Sequence, residues 1–109
     1  MTPWEVYDFE FAWGKHPAVV VSNRIRCERK PEVVVLACRS MSHGTARDAL
    51  ENEVLLNGAD GLDWQTLCRC DLLFTVPKAG LTNRRGVVSV ERQRQIARKI
   101  VQGLAIAGM

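Results

Sequence analysis

The polar residues best suited to chemistry stand at the two ends of a short apolar run. Residues 18–22 read Ala-Val-Val-Val-Ser, and such a run without a polar face predicts a strand that is buried on both sides. Chemistry is therefore displaced to its ends, where His16 precedes the strand and Asn23 and Arg24 follow it. Histidine exchanges protons near neutral pH, and arginine presents a fixed fork of donors to anionic oxygens.

A second buried strand is predicted at residues 33–38, which read VVVLAC and are followed by Arg39 and Ser40. If the two strands are neighbours in a barrel, His16 and Arg39 lie at adjacent strand ends and can act on one substrate. The alternative is structural: His16 then only caps a strand, and Arg39 is a solvated strand terminus. Residue type alone favours the structural interpretation.

The four cysteines predict neither a metal centre nor a disulfide framework. Cys68 and Cys70 place two thiols on one face of a strand, but Cys27, Cys38 and His43 form no second pair of zinc ligands. A nucleophile at Cys38 is conceivable, yet no accompanying Cys-His-Asp arrangement is visible. We expect small, buried, reduced thiols, no metal and no other cofactor.

Charge along the chain is segregated more strongly than the net charge of +3 indicates. Residues 15–47 hold seven bases and two acids, and residues 84–109 hold six bases and one acid, whereas residues 48–83 hold six acids and two bases. This distribution is compatible with a polyanion on one face and a charged protein partner on another. With 109 residues, no basic leader and no apolar run of bilayer length, we expect a single cytoplasmic domain, 1–109.

The remaining pattern predicts a mainly β domain that ends in one helix. A half-buried strand is expected at Trp4–Phe11, a turn at residues 12–17, a polar loop at residues 23–32 and an exposed connection at residues 39–50. Further strands are predicted at residues 51–56 and 65–76, with a short strand or helix lead-in at residues 85–89. Ser89 is expected to cap a helix that runs to about Leu104. Its predicted apolar stripe comprises Val90, Ala97, Ile100, Val101, Leu104 and Ala107.

The order of these features resembles the MazF/PemK toxin family of type II toxin–antitoxin systems. The resemblance rests on G-x-x-P-x-V-V-V-S-N at residues 14–23, V-V-V-x-x-C-x-S at residues 33–40, and Phe74-Thr75-Val76 with Lys78, Leu81 and Arg84-Arg85-Gly86. It spans about Val6 to Leu104. It implies a small, bent PemK/CcdB-type β-barrel with a C-terminal helix, and a homodimer that a cognate antitoxin neutralises.

The resemblance also implies an endoribonuclease that cleaves single-stranded RNA without metal, by attack of the 2′-hydroxyl. The family places an arginine before the proline, where this chain has Lys15-His16-Pro17. It places a threonine at the end of the next strand, where this chain has Cys38-Arg39-Ser40. Under this hypothesis His16 is the general acid or base, Arg39 stabilises the phosphorane and Ser40 is an accessory donor. The residues expected to hold RNA are Lys15, Asn23, Arg24 and Cys38.

Two further features have both functional and structural interpretations. The basic segment Arg24–Lys30 could guide an RNA backbone, or could be only a solvated turn. Trp13 and Trp64, both in predicted loops, are candidates for base stacking or an interface, and equally for buried packing.

A different class of function remains open from the sequence. The chain could be a non-catalytic interaction module, either a protein-binding toxin similar to the CcdB toxins or a degenerate RNA-binding barrel. The replaced arginine and threonine favour this alternative. So would an exposed apolar C-terminal patch at Ile106, Ala107 and Met109.

Overall fold

The computed structural model describes residues 1–41 and 47–104. The elements in chain order are β1 (Glu5–Phe11), β2 (Gly14–Val20), α1 (Arg24–Arg29), β3 (Glu32–Ser40), β4 (Glu53–Leu56), β5 (Thr66–Pro77), β6 (Thr82–Val87) and α2 (Val90–Leu104). Short 3-10 helices occupy Gly58–Asp60 and Lys78–Gly80. His43 and the C-terminal residues Ile106, Ala107 and Met109 lie outside the described residues, as does part of the predicted connection at 39–50.

The strands form one six-stranded antiparallel sheet in the order β4-β5-β3-β2-β1-β6. The sheet curls into a half-barrel, and α2 follows it at the C-terminal end. This confirms the predicted mainly β barrel with a terminal helix. The predicted strands at residues 18–22 and 33–38 are central ones, which explains why they carry no polar face.

Each face of the curled sheet buries its own apolar cluster. Val19 and Leu36 belong to the cluster that packs under α2, together with Ile96 of that helix. Val20 and Val35, which alternate with them along β2 and β3, belong to the cluster on the opposite face, together with Cys27 of α1. The two central strands are therefore buried on both sides, as predicted.

The loop after β4 closes the gap between the sheet's two edges. Gly61, at a φ of +87°, lies so close to β6 that a Cβ there would come within 2.4 Å of the Arg85 carbonyl oxygen. Beside it, the fully buried Asp60 carboxylate accepts hydrogen bonds from the backbone N–H of Asn57 at 3.0 Å and of Ser89 at 2.9 Å. It also accepts one from the Arg92 guanidinium at 2.7 Å. One carboxylate thus joins the β4 side of the barrel to β6 and α2.

Two boundaries near the N-terminus differ from the prediction. The segment 23–32 was predicted to be a loop, which is wrong, because it contains α1. The Asn23 side chain caps that helix by accepting the Arg26 N–H at 2.9 Å. The second strand begins at Gly14, so His16 and Pro17 lie within β2 instead of in a turn. A six-residue helix is too short to give a periodic apolar signal.

The predicted helix is confirmed as α2 (Val90–Leu104), but of the described members of the predicted apolar stripe only Ile100 packs against the core. Ile96 is the buried residue of α2, with Ile100 packed beside it, whereas Val90, Val101 and Leu104 are more than half exposed. Polar anchoring sets this rotation, since Arg92 bonds Asp60 and Lys99 donates to the Glu51 carbonyl. Among the described helices, none has the length and apolarity needed to cross a membrane.

Replacing Asp60 with alanine should lower the free energy of unfolding by about 3 kcal/mol or more. The backbone N–H groups of Asn57 and Ser89 and the Arg92 guanidinium would then lose their acceptor. Urea denaturation followed by circular dichroism measures this. Asp71→Ala, which removes an exposed carboxylate from β5, is the matched control and should change stability by about 0.5 kcal/mol or less. A loss below about 1 kcal/mol in Asp60→Ala would contradict a central role for this carboxylate.

Replacing Asn23 with alanine should cost about 1 kcal/mol of stability, because the first turn of α1 loses its cap. Asn23→Ser keeps a capping oxygen and should stay within a few tenths of a kcal/mol of the parent, about the spread among good caps. Denaturant midpoints of the three proteins decide the matter. Equal losses in both variants would show that capping is not what Asn23 contributes.

Candidate active site

The β1–β2 hairpin determines where His16 lies. Phe11 pairs with Gly14, so Ala12 and Trp13 form a two-residue turn, and Gly14 takes a φ of +125° that other residues rarely adopt. The imidazole of His16, which is half-buried, lies close to this turn: a Cβ at Gly14 would be 3.7 Å from Nε2. The tight turn therefore supports the imidazole without covering it.

The pairing of β2 with β3 brings the predicted catalytic residues together. Ala18 pairs with Ala37 and Val20 with Val35 in antiparallel register. Beyond these pairs, His16 lines one cavity with Arg39 and another with Lys15 and Ser40. All four residues thus lie where β2 begins and β3 ends.

Two cavities flank His16, and its side chain contributes to both. The Ser40 cavity has a volume of about 340 Å³ and is lined by Asp8, Lys15, His16, Pro17, Ser40, Leu62, Asp63, Trp64, Thr66 and Arg85. The Arg39 cavity has a volume of about 220 Å³ and is lined by Trp13, His16, Ala37, Cys38, Arg39, Arg69 and Leu72. A group bound at His16 could therefore extend into either cavity.

The Ser40 hydroxyl is an unused polar group in this region. Its Oγ is buried and has no hydrogen-bond partner among the described residues. Ser40 pairs with Thr66 of β5, and the Thr66 hydroxyl donates to the Trp64 carbonyl at 2.9 Å. A buried hydroxyl without a partner costs free energy, so it is a natural donor or acceptor for a bound ligand.

The cationic side chains fall into two classes. Arg85 forms two ion pairs, since it donates to Asp8 at 3.1 Å and to Asp63 at 2.8 Å. Lys15, Arg39 and Arg69 have no carboxylate within 4 Å in the described part of the chain. These three cations, of which Lys15 and Arg69 pair across strands with Glu10 and Glu53, lie around His16 without an ion pair and are available to an anion.

The cysteines near the site are buried and packed together. Cys38, which lines the Arg39 cavity, pairs with Cys68 of β5 and is only 3% exposed. The neighbouring thiols of Cys38 and Cys70, together with burial, raise the pKa of Cys68 well above its ordinary value, so this thiol stays protonated. Among the described residues, no group of three His, Cys, Asp or Glu side chains is placed to hold a metal ion.

Asn23 and Arg24 are not part of this constellation. They follow the other end of β2, and seven residues of extended strand separate that end from Gly14. Asn23 caps α1, and the adjacent Ser22 hydroxyl accepts the Val34 N–H at 2.7 Å. Polar groups at this end are therefore used within the fold, and the predicted RNA contacts of Asn23 and Arg24 remain untested.

Several lining residues were not identified from the sequence as parts of one site. Asp8, Asp63, Arg69 and Arg85 come from β1, the loop before β5, β5 and β6, and no local spacing links them. The two tryptophans did carry a signal, since both were noted as loop aromatics. Both are more than half exposed, so neither is fully buried, although Trp13 stacks on Phe11 with ring centroids 4.9 Å apart.

Comparisons with solved structures show the same fold at low sequence identity. An endoribonuclease from a mycobacterial species, in complex with its cognate antitoxin, superposes with a TM-score of 0.84 and 20% identity, over 100% of this chain and 99% of that one. Toxin MazF-mt6 from Mycobacterium tuberculosis gives 0.78 and 17%, over 94% and 97% of the two chains. The MazE–MazF complex from Deinococcus radiodurans gives 0.77 and 13%, over 98% and 97%.

Family membership is decided by the sequence match. No match to this chain is found among curated proteins. The family model for the PemK-like, MazF-like toxins of type II toxin–antitoxin systems matches residues 10–104, which include both central strands, the His16 region and α2. The match covers most of the chain, and the chain therefore belongs to the PemK-like, MazF-like toxin family.

Proposed function

We propose that this chain is a single-domain, toxin-type endoribonuclease that cleaves single-stranded RNA by attack of the 2′-hydroxyl. The observation that carries the proposal is the position of His16 between two open cavities, with Ser40 in one and Arg39 in the other. An RNA strand that enters one cavity and leaves by the other passes its backbone over the His16 imidazole. Membership of the toxin family supports the same activity.

The chemistry assigned to these residues is a transesterification. The 2′-oxygen attacks the adjacent phosphorus, and the bond from phosphorus to the 5′-oxygen breaks, which leaves a 2′,3′-cyclic phosphate and a 5′-hydroxyl. His16 removes the 2′-hydroxyl proton or supplies a proton to the leaving oxygen, as general acid–base catalysis requires. Whichever of these two proton transfers His16 performs, solvent water accepts or supplies the other proton.

Charge stabilisation is assigned to the neighbouring donors. The Arg39 guanidinium, which has no carboxylate partner in the described part of the chain, stabilises the charge that develops on the phosphorane oxygens. The unpartnered Ser40 hydroxyl donates to a phosphate oxygen from the other side. Lys15, exposed beside His16, attracts the RNA backbone, and the small Cys38 side chain shapes the wall beside Arg39. No metal ion has a role in this scheme.

We propose two protein partners, a second copy of this chain and a cognate antitoxin, and action in the cytoplasm, where its RNA substrates are found. The solved relatives include toxins in complex with MazE or with a cognate antitoxin. In this chain Val90, Val101 and Leu104 of α2 are 57–69% exposed, with the basic side chains of Arg94 and Arg98 beside them. Such an apolar face with a basic margin suits an acidic, partly apolar protein segment.

The test is cleavage of a long unstructured RNA by the purified protein in excess chelator. We expect cuts at a limited number of sites with cyclic-phosphate ends. His16→Ala should slow cleavage by about 100-fold or more, the usual contribution of acid–base catalysis. Arg39→Ala should slow it by about 100-fold or more, as for loss of an electrostatic donor.

Arg98→Ala is the matched control, since Arg98 is exposed on α2, lines neither cavity and should leave the rate unchanged. Cleavage that survives in His16→Ala would remove the assigned role of the imidazole. A folded parent that leaves RNA intact with and without divalent ions would reject the nuclease. A non-catalytic protein-binding or RNA-binding module would then be the better account.

A further inference from the structure

The two cavities beside His16 differ in their balance of charge. The Arg39 cavity contains Arg39 and Arg69 and no carboxylate. The Ser40 cavity contains Asp8 and Asp63 as well as Lys15 and Arg85. Phosphates are drawn more strongly to the first cavity than to the second, where two carboxylates offset the charges of Lys15 and Arg85. The Ser40 cavity is therefore built for a different part of the substrate.

The two carboxylates of the Ser40 cavity are not equivalent. Asp8 is buried, and its two oxygens accept from Asn83 at 2.8 Å and from Arg85 at 3.1 Å. Asp63 accepts from Arg85 through Oδ2 at 2.8 Å, and its side chain is 80% exposed. The Oδ1 atom of Asp63 has no partner among the described residues. Arg85 therefore fixes the position of the Asp63 carboxylate, and the Oδ1 atom of Asp63 can accept a hydrogen bond from a ligand.

The next residue supplies a stacking surface. Trp64 lines the same cavity and is 56% exposed, and its carbonyl is held by the Thr66 hydroxyl. A flat aromatic face beside an ionised acceptor suits a planar ligand whose edge carries N–H groups. The cavity volume of about 340 Å³ lies in the range of small-ligand pockets, about 300–1,000 Å³, whereas the Arg39 cavity is smaller.

We propose that the Ser40 cavity is a base-reading subsite, in which Trp64 stacks on a nucleobase next to the scissile phosphate and Asp63 accepts hydrogen bonds from its Watson–Crick edge. This inference rests on the proposed nuclease function. It adds a selection that family membership does not supply. Asp63 and Trp64 are specificity residues here, and the Arg39 cavity carries the backbone.

The hydrogen-bond acceptors of Asp63 predict an order of preference among the four bases. An ionised carboxylate only accepts, so it favours the edge with the most adjacent donors. Guanine presents N1–H and an amino group side by side. Adenine and cytosine present an amino group next to a ring acceptor, and uracil presents one N–H between two carbonyls. The subsite therefore prefers guanine, tolerates adenine or cytosine, and discriminates against uracil.

The first arm of the test maps cleavage sites in a random RNA pool. The parent should favour guanine over uracil about tenfold or more at one position adjacent to the cut, the discrimination of a good base contact. Asp63→Asn should reduce that preference to about threefold or less. Trp64→Ala should slow cleavage about tenfold through lost stacking, and Trp64→Phe should recover most of the rate.

Matched controls lie outside both cavities, on α2 and just before β4. Val101→Ala and Glu51→Gln alter an exposed apolar side chain and an exposed carboxylate there, and both should leave the cleavage profile and rate unchanged. Circular dichroism of each variant establishes that it is folded. A profile that is the same in Asp63→Asn as in the parent overturns the subsite while leaving the nuclease in place.

The second arm separates the subsite from the activity. Binding of 2′-O-methyl trinucleotides, which have no attacking hydroxyl, is followed by tryptophan fluorescence, with the central base varied. The parent should bind the guanine version about tenfold more tightly than the uracil version, and Asp63→Asn should lose this difference. If the parent shows this preference but cuts no RNA, the subsite stands and the nuclease falls. If it shows no base preference in either arm, the subsite is rejected.

Discussion

The buried Asp60 carboxylate is the contact on which the geometry of the site depends. The sheet ends in two unpaired edges, β4 and β6, and the loop after β4 spans the gap between them. Asp60 holds that loop to the start of α2 through Ser89 and Arg92, and Gly61 allows the backbones to touch. Asp63 and Trp64 continue the same loop. Without this closure, the wall of the Ser40 cavity would have no fixed position relative to His16.

The two ends of β2 illustrate how one strand serves structure and chemistry separately. At its C-terminal end, the side chains of Ser22 and Asn23 accept hydrogen bonds from the backbone of β3 and of α1. At its N-terminal end, Ser40 of the neighbouring strand keeps a hydroxyl without a partner, and Arg39 keeps its charge uncompensated. A hydroxyl or guanidinium group that has no partner within the folded chain is available to bind a substrate.

Charge is distributed around His16 with a clear asymmetry. Arg39 and Arg69 lie on the Arg39 side without a carboxylate, whereas Asp8 and Asp63 lie on the Ser40 side together with Lys15 and Arg85. In the proposed nuclease this arrangement would separate attraction of the RNA backbone from recognition of a base, as phosphate and base contacts do in nucleic-acid interfaces. In the proposed nuclease, affinity and selectivity would then be adjustable by different residues.

The sequence by itself determined the buried central strands, the terminal helix, the family and the location of His16, Arg39 and Ser40 at strand ends. These follow from local composition and from motifs that are contiguous in the chain. It did not determine α1, which is too short for a periodic signal, or the rotation of α2, which polar anchors decide. Only the tertiary structure placed Asp63 and Trp64 beside His16. These residues line one cavity although nearly fifty positions separate them in the chain. The buried Asp60 carboxylate and the close approach of Gly61 to β6 hold the intervening loop in place, which no local pattern encodes.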